Sequence, residues 1–453
     1  MGGGLLQLVA YGAQDAYITG NPHITFWKVM YKRHTNFAME AMRVNFTGTA
    51  QYGQRVVAIV NRNADLIYRT YLEVTLPDTT AAATGATYDV QWTSGGMRRL
   101  GYLMLEKIEV EIGGQVIDRH YGEWWYLWEC LSSSYDQSVK ADQLLAGPIG
   151  ATSTLTTCNG RPSVLYIPFG FWFNRNPGLA LPLIALQYHD VHFNVWFRKA
   201  TDLVQKGSWG TVSAAAAALP PPKDAAIYID YIYLDTDERR RFAQDSHEYL
   251  IEQLQYSLPQ TVTSAQARLD LTLNHPIKEL VWVFQDARRL DCSLPTGRPT
   301  DFYTGSATTY TQHFAYDDIV DRCRIQLNGQ DRFDERYGDY FWKVQPFQHH
   351  TGGAFHPTRN LQTTSGSNPE PITLGAVNPI NVYSFALQPE EHQPSGSCNF
   401  SRIDTATLVF DAIKNGGTSG YPTKSTPFVF RMYAINYNVF RVMSGMGGLA
   451  YSN

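Results

Sequence analysis

Apolar and polar residues alternate strictly through much of this chain, and helical periodicity is scarce. In Lys107-Ile-Glu-Val-Glu-Ile112, Ile108, Val110 and Ile112 share one face while Lys107, Glu109 and Glu111 share the other, which predicts a half-buried strand. Gly113-Gly114 and then Gln115-Val-Ile117 follow. Two strands joined by two glycines predict a hairpin, because both turn positions need positive φ. The device returns as Arg324-Ile-Gln-Leu327, Asn328-Gly329, Gln330. Further on, Asp118-Arg-His-Tyr-Gly-Glu-Trp-Trp125 matches Asp334-Glu-Arg-Tyr-Gly-Asp-Tyr-Phe341 at an offset of 216, and the turn glycines Gly114 and Gly329 are 215 apart. An offset near half the chain predicts a tandem duplication of one β domain.

The low-complexity run Ser213-Ala-Ala-Ala-Ala-Ala-Leu-Pro-Pro-Pro-Lys223 suits a linker or an exposed loop near the junction. Ile227-Tyr-Ile-Asp-Tyr-Ile-Tyr-Leu234 reads as the strand closing the first copy, and residues 237–252 cross to the second. Arg239-Arg240-Arg241 beside Asp235, Asp237 and Glu238 reads as a solvated, ion-paired turn. Long loops rich in Thr, Ser, Gly and Pro are expected over 78–96, 132–160, 287–310 and 352–377. The expected fold is all-β: two tandem eight-stranded antiparallel jelly-roll sandwiches with few short helices. The expected boundaries are 1–25 for an N-terminal arm, 26–236 for the first jelly roll and 237–453 for the second.

Composition sharpens this picture. Of 453 residues only 17% are charged while 13% are aromatic, as expected of a surface largely covered by neighbours. The net charge of −4 argues against a protein that coats nucleic acid. No basic residue precedes the short apolar run after Met1, so a secretory signal is not expected, and Leu6 stands where myristoylation prefers Ser or Thr. No apolar run of about 20 residues predicts a membrane-spanning helix. Cys130, Cys158, Cys292, Cys323 and Cys398 are odd in number and lack C-x-x-C spacing, so they read as small buried hydrophobes in a reducing compartment.

Known chemical motifs are missing. There is no G-x-x-x-x-G-K-S/T, H-E-x-x-H or G-x-S-x-G. His189 and His192 fall on opposite faces of an expected strand, and His349-His350 with His356 read as a solvated loop. Glu390-Glu391 could supply the two acids of a glycoside hydrolase, but nothing else separates them from a charged loop. Asn45-Phe-Thr47 and Asn399-Phe-Ser401 match the glycosylation pattern incidentally, and Gly445-Met-Gly-Gly448 reads as a tail packed closely on backbone. No catalytic, cofactor or metal residue is assigned, glycosylation sites stay unassigned, and no enzyme is expected.

Long strings then point to a family. They include Gly3-Gly-Leu-Leu-Gln-Leu-Val-Ala-Tyr-Gly-Ala-Gln-Asp-Ala-Tyr17, Phe173-Asn-Arg-Asn-Pro-Gly-Leu-Ala-Leu-Pro-Leu-Ile-Ala-Leu-Gln-Tyr-His189 and Gln393-Pro-Ser-Gly-Ser-Cys-Asn-Phe-Ser-Arg-Ile-Asp404. Asn436-Tyr-Asn-Val-Phe-Arg-Val-Met-Ser-Gly-Met-Gly-Gly-Leu-Ala-Tyr451 matches too. Across nearly its whole length the chain closely resembles the major capsid proteins of nucleocytoplasmic large DNA viruses, most nearly the algal-virus (phycodnavirus) type. The resemblance implies a structural double jelly-roll subunit. It also implies homotrimeric capsomers of pseudo-hexagonal outline, contacting neighbouring capsomers in the icosahedral shell of a double-stranded DNA virus. It further implies minor capsid and penton partners, an N-terminal arm on the inner side near an internal viral membrane, glycans on outer loops, and assembly in host cytoplasm into the virion capsid. Direct nucleic-acid binding and cofactors are not expected. Two rivals stand beside this reading: a carbohydrate-binding or carbohydrate-hydrolysing β-sandwich, and a minor capsid component. The aromatic runs Trp124-Trp-Tyr-Leu-Trp128 and Phe169-Gly-Phe-Trp-Phe173 fit domain core better than interface anchors.

Overall fold

A computed structural model of the chain describes residues 10, 13–14, 34–76, 91–92, 100–146, 164–205, 220–264, 266–287, 318–352, 379–411 and 427–451. The chain divides into a short unit, Met1–Phe37, and a body, Ala38–Asn453. Most of the expected N-terminal arm and of three long loops, Ser213–Leu219 of the low-complexity run, His356, Cys158 and Cys292 lie outside the described residues, while Gln91–Trp92 in the expected 78–96 loop is a short strand paired with Val204–Gln205.

Sixteen strands carry the architecture. In the first half they are β1 (Phe37–Thr47), β2 (Arg55–Ile59), β3 (Leu66–Thr75), β4 (Leu105–Ile112), β5 (Gln115–Tyr121), β6 (Val164–Pro168), β7 (Val191–Phe197) and β8 (Asp224–Leu234). In the second they are β9 (His247–Val262), β10 (Gln266–Asp270), β11 (Pro276–Asp286), β12 (Arg322–Leu327), β13 (Gln330–Asp331), β14 (Asn381–Ser384), β15 (Ala406–Asp411) and β16 (Phe428–Met443). The first half orders them β1-β8-β3-β6 and β2-β7-β4-β5, with β1 also pairing β2. The second half orders them β9-β16-β11-β14 and β10-β15-β12-β13. Adding eight to each strand number converts one half into the other. Both halves are therefore antiparallel jelly rolls of one topology, and the duplication read from the hairpins extends to each of these sixteen strands.

The two hairpins show why the turn sequences differ. Gly113 and Gly114 have φ of 58° and 82°, and Asn328 and Gly329 have 50° and 79°, the pattern of a two-residue turn with both centres left-handed. Asn328 Oδ1 accepts from the Asp404 and Thr405 amides at 2.9 and 3.0 Å. A Cβ at Gly113 would meet His189 Nδ1 at 2.3 Å, so that turn is restricted to glycine. Around Gly114 and Gly329 a Cβ meets nothing within 4 Å, leaving only backbone strain. Gly114→Val and Gly329→Val should each cost about 1–2 kcal/mol for a β-branched residue in the left-handed region. Chemical denaturation would measure it, and an unchanged midpoint would refute the turn assignment. The matched pair Gly122 and Gly338 has a different basis. A Cβ there would stand 2.0 Å from the Tyr102 carbonyl and 2.1 Å from the Val320 carbonyl.

The core has two main clusters. Leu280, Trp282, Phe284, Phe430 and Met432 point into the second sandwich, together with Ile325, Leu408 and Phe410. Val281, Val283, Tyr433 and Ile435, which alternate with the first five, join the core of the first half. The sheet β9-β16-β11-β14 is thus buried on both faces. That accounts for the near-continuous apolar runs Leu280–Phe284 and Phe428–Ile435, where alternation fails as a sequence signal.

Three helices were not foreseen, two of them in an expected loop or turn. The first is α1 (Gly122–Ser132), whose run Trp124–Trp128 is core apart from half-buried Trp128; the second is α2 (Tyr135–Ala146), inside the expected 132–160 loop. Ser134 and Gln137 cap α2 reciprocally, and Ser138, Ala141 and Leu145 turn one face inward. The third, α3 (Thr236–Gln244), holds the three arginines. Its Asp237 and Glu238 occupy the first turn and Arg241 the last, an order favoured by the helix dipole. The ion pairing expected there is present, between Arg239 and Asp65 at 3.0 Å and between Arg241 and Asp245 at 3.7 Å.

Candidate functional site

The two sandwiches meet along a seam built from aromatic rings and buried charge. From the first half come the end of β5, the helix α1 and the segment 168–190. From the second comes the outward face of β9-β16-β11-β14. Tyr121 packs on Tyr256 with ring centroids 4.7 Å apart, Trp124 on Tyr433 at 5.4 Å, and Trp172 on Phe440 at 5.9 Å. Asp118 Oδ1 accepts from the Leu254 amide at 3.1 Å, and the Gly352 amide donates to the Leu131 carbonyl at 2.7 Å.

Two polar clusters cross this surface, and a third lies within the second half beside it. In the first, buried Glu123 accepts from Arg431 Nε at 3.0 Å and from the Tyr433 hydroxyl at 2.7 Å, while Arg431 also donates to Gln285. In the second, Glu252 accepts from Lys278 Nζ at 2.6 Å and from Arg175 Nη1 at 2.9 Å. The Arg175 guanidinium also lies 5.0 Å from the centre of the Trp128 ring. In the third, His350 stands between Glu390 Oε1 and Glu279 Oε2, each 3.1 Å from a ring nitrogen. Burial works against a charge on His350, but the two carboxylates outweigh it and push the pKa up to about 9. Burial also acts to raise Glu390, but hydrogen bonds from His350 and Thr351 prevail and hold it below the usual carboxylate range.

His350 corrects the expectation of a solvated loop. Gln345–His349 is helical, and the next residue turns its ring to a site with no exposed side-chain surface. Glu390 is likewise a partner of this ring rather than a free loop acid, while Cys130 and Cys323 are buried as expected and Cys398 is only partly so. Gly447 packs on the side chains of Leu186 and Phe440, and its backbone bonds His189, so the closing glycines contact more than backbone. Sequence reading missed Glu123, Lys278, Glu279 and Arg431. The signal was available: a charge inside an apolar run that lacks alternation must be buried and therefore paired.

A cavity of about 620 Å³ opens beside the seam, with Trp128, Trp172, Arg175, Glu252 and Glu390 in its walls. Both of these acids are already engaged by cations. Glu391 and His392 complete this part of the wall. Among the described residues no cluster of three or more His, Cys, Asp or Glu could hold a metal.

Comparison with known proteins decides the wider question. Residues 25–235 match the family described as major capsid protein N-terminus, and residues 238–365 and 370–448 match the large eukaryotic DNA virus major capsid protein family. The major capsid protein of Pyramimonas orientalis virus is 44% identical, covering the whole of both chains. The chain belongs to the major capsid proteins of large eukaryotic DNA viruses. The corresponding protein of Paramecium bursaria Chlorella virus 1 is 39% identical over both full lengths, in keeping with the expected algal-virus type. A quasi-atomic model of the PBCV-1 virus capsid superposes with a TM-score of 0.73 at 34% identity, covering 95% of this chain and 100% of that one. This capsid protein is structural, not an enzyme, and its work is self-association in a shell.

Proposed function

We propose that three copies of the chain form a homotrimeric capsomer of pseudo-hexagonal outline, and that such capsomers tile the icosahedral shell of a large double-stranded DNA virus. One observation carries this reading: a single strand order occurs twice in one chain. Three chains of two like domains present six similar edges, so one kind of contact can recur around a ring and between rings. The domains in this reading are residues 26–236 and 237–453, with 1–25 as an inward arm toward minor capsid and penton proteins and an internal membrane. Outer loops bearing glycans and assembly in host cytoplasm belong to the same reading. Light scattering of the purified chain should give three times the 51.1 kDa chain mass, with a hexagonal outline by electron microscopy. A stable monomer that cleaves glycosidic bonds would overturn it.

A further inference from the structure

The two hairpin turns dock in the same way, each on the residues just ahead of a neighbouring strand, β7 in the first half and β15 in the second. The Gly113 amide donates to the Asp190 carbonyl at 3.0 Å, and the Asn328 amide donates to the Thr405 carbonyl at 2.7 Å. Both pairs obey the offset of 215 that relates the turns, so His189 and Asp404 occupy equivalent places. The side chain that lies over the turn has a different origin in each half. In the second it comes from the turn itself: Asn328 Oδ1 takes the Asp404 and Thr405 amides, which occupies both of its lone pairs. In the first the turn has no side chain, and the His189 ring fills the space, with Nδ1 2.3 Å from where a Gly113 Cβ would stand.

This exchange leaves a ring nitrogen able to hold a third segment. The chain leaves β8 through α3, but it leaves β16 through Ser444-Gly445 and returns as β17 (Met446–Leu449), paired with residues 440–443. Ser444 and Gly445 have φ of 51° and 80°, a third two-residue turn with both centres left-handed. His189 Nδ1 lies 3.2 Å from the amide nitrogen of buried Gly447 and 3.0 Å from its carbonyl oxygen. A bare Nδ1 accepts from the amide and a protonated one donates to the carbonyl, so either form of the ring finds a partner in Gly447. Next to it, the Tyr188 amide donates to the Gly445 carbonyl at 3.0 Å. The hairpin carries Met443 and Met446, both exposed, so whatever holds it fixes where they stand.

We infer that His189 is a latch for the C-terminal hairpin and that Gly113 is the residue that admits it. The first jelly roll thereby holds the last strand of the second through a contact that only one of two equivalent turns can make. His189 acts as a positioning residue, 258 positions from the glycine it holds. The coupling runs from turn to ring to hairpin: a side chain at position 113 displaces the ring, and displacing the ring frees Gly447.

Hydrogen exchange of the full chain, read by mass spectrometry on a peptide covering 443–451, tests this. Gly113→Ala and Gly114→Ala both put a methyl group on left-handed backbone, but only the first has a ring in its way. Gly113→Ala and His189→Phe should speed exchange in the hairpin about fivefold or more, as the loss of one ordinary hydrogen bond predicts, with β4 and β5 unchanged. Gly114→Ala should exchange there as wild type does. His189→Asn should keep most of the protection, because its Oδ1 can stand near the place of Nδ1 and accept from the Gly447 amide. Equal hairpin exchange in His189→Phe, Gly113→Ala and Gly114→Ala would overturn the latch. So would His189→Asn exchanging as fast as His189→Phe, since the ring would then act only by filling space. The two His189 variants leave the turn untouched, so they decide the matter even where Gly113→Ala fails to fold.

Discussion

Arg431→Met should lower the stability of the body by about 3–5 kcal/mol, the usual result of removing one partner from a buried ion pair. Arg431 is 8% exposed, and its guanidinium is the cation that faces Glu123 across the seam, with a closest approach of 2.8 Å. Without it, the Glu123 carboxylate stays buried against Tyr433, whose hydroxyl can donate only one hydrogen bond. Methionine keeps much of the volume, so the loss reports charge rather than a cavity. Because the pair joins α1 of one sandwich to β16 of the other, unfolding should also become less cooperative, with the second half melting separately.

A double-mutant cycle separates these effects. Glu123→Gln alone should cost less, since an amide still accepts from Arg431. Arg431→Met combined with Glu123→Met should recover most of the loss, because two apolar side chains replace a buried pair at little net cost. Differential scanning calorimetry on the four proteins would decide. If Arg431→Met melts as wild type does, or if the double variant is no better than the single, the seam is not held by this pair.

The hairpins were legible because the twist of paired strands demands left-handed turn residues, which Gly-Gly and Asn-Gly announce locally. The duplication was legible for the same reason, since Gly122 and Gly338 each lie against a backbone carbonyl and no other residue fits. The helix α1 was not read as a helix. Trp124, Trp125, Leu127 and Leu131 bury it nearly all round, which leaves little amphipathic pattern to find. The helix α2 did carry a sign in the capping pair Ser134 and Gln137, obscured by its polar composition. The seam was illegible for a deeper reason. Glu123 and Arg431 are 308 positions apart, and only the packing of two complete sandwiches brings them together. The aromatic runs Trp124–Trp128 and Phe169–Phe173 read as core from sequence, and they lie there apart from half-buried Trp128.

Stability should fall by about 3 kcal/mol as the pH is raised from 6.5 to beyond 9, through His350. Its folded pKa of about 9 lies above the roughly 6.5 of an unfolded histidine. The folded state therefore holds a proton that the unfolded chain releases between these values. The contribution is fully present below about pH 6.5 and is lost as the pH rises through about 9. Glu390 acts in the opposite direction: its lowered pKa stabilises the fold above the ordinary carboxylate range and the effect is lost on acidification. Other groups titrate over the same range, so the measurement is a difference between wild type and His350→Gln. At pH 6.5 the variant should be weaker by about 3–5 kcal/mol, since Glu279 keeps a buried charge without its cation. By pH 9.5 the gap should narrow, because wild type has lost the proton too. Adding Glu279→Gln to the variant should restore part of the stability at both pH values. Denaturant midpoints whose wild-type and variant values stay equally far apart from pH 6.5 to 9.5 would show that His350 carries no proton in the fold, and that the third cluster, beside the seam, is neutral.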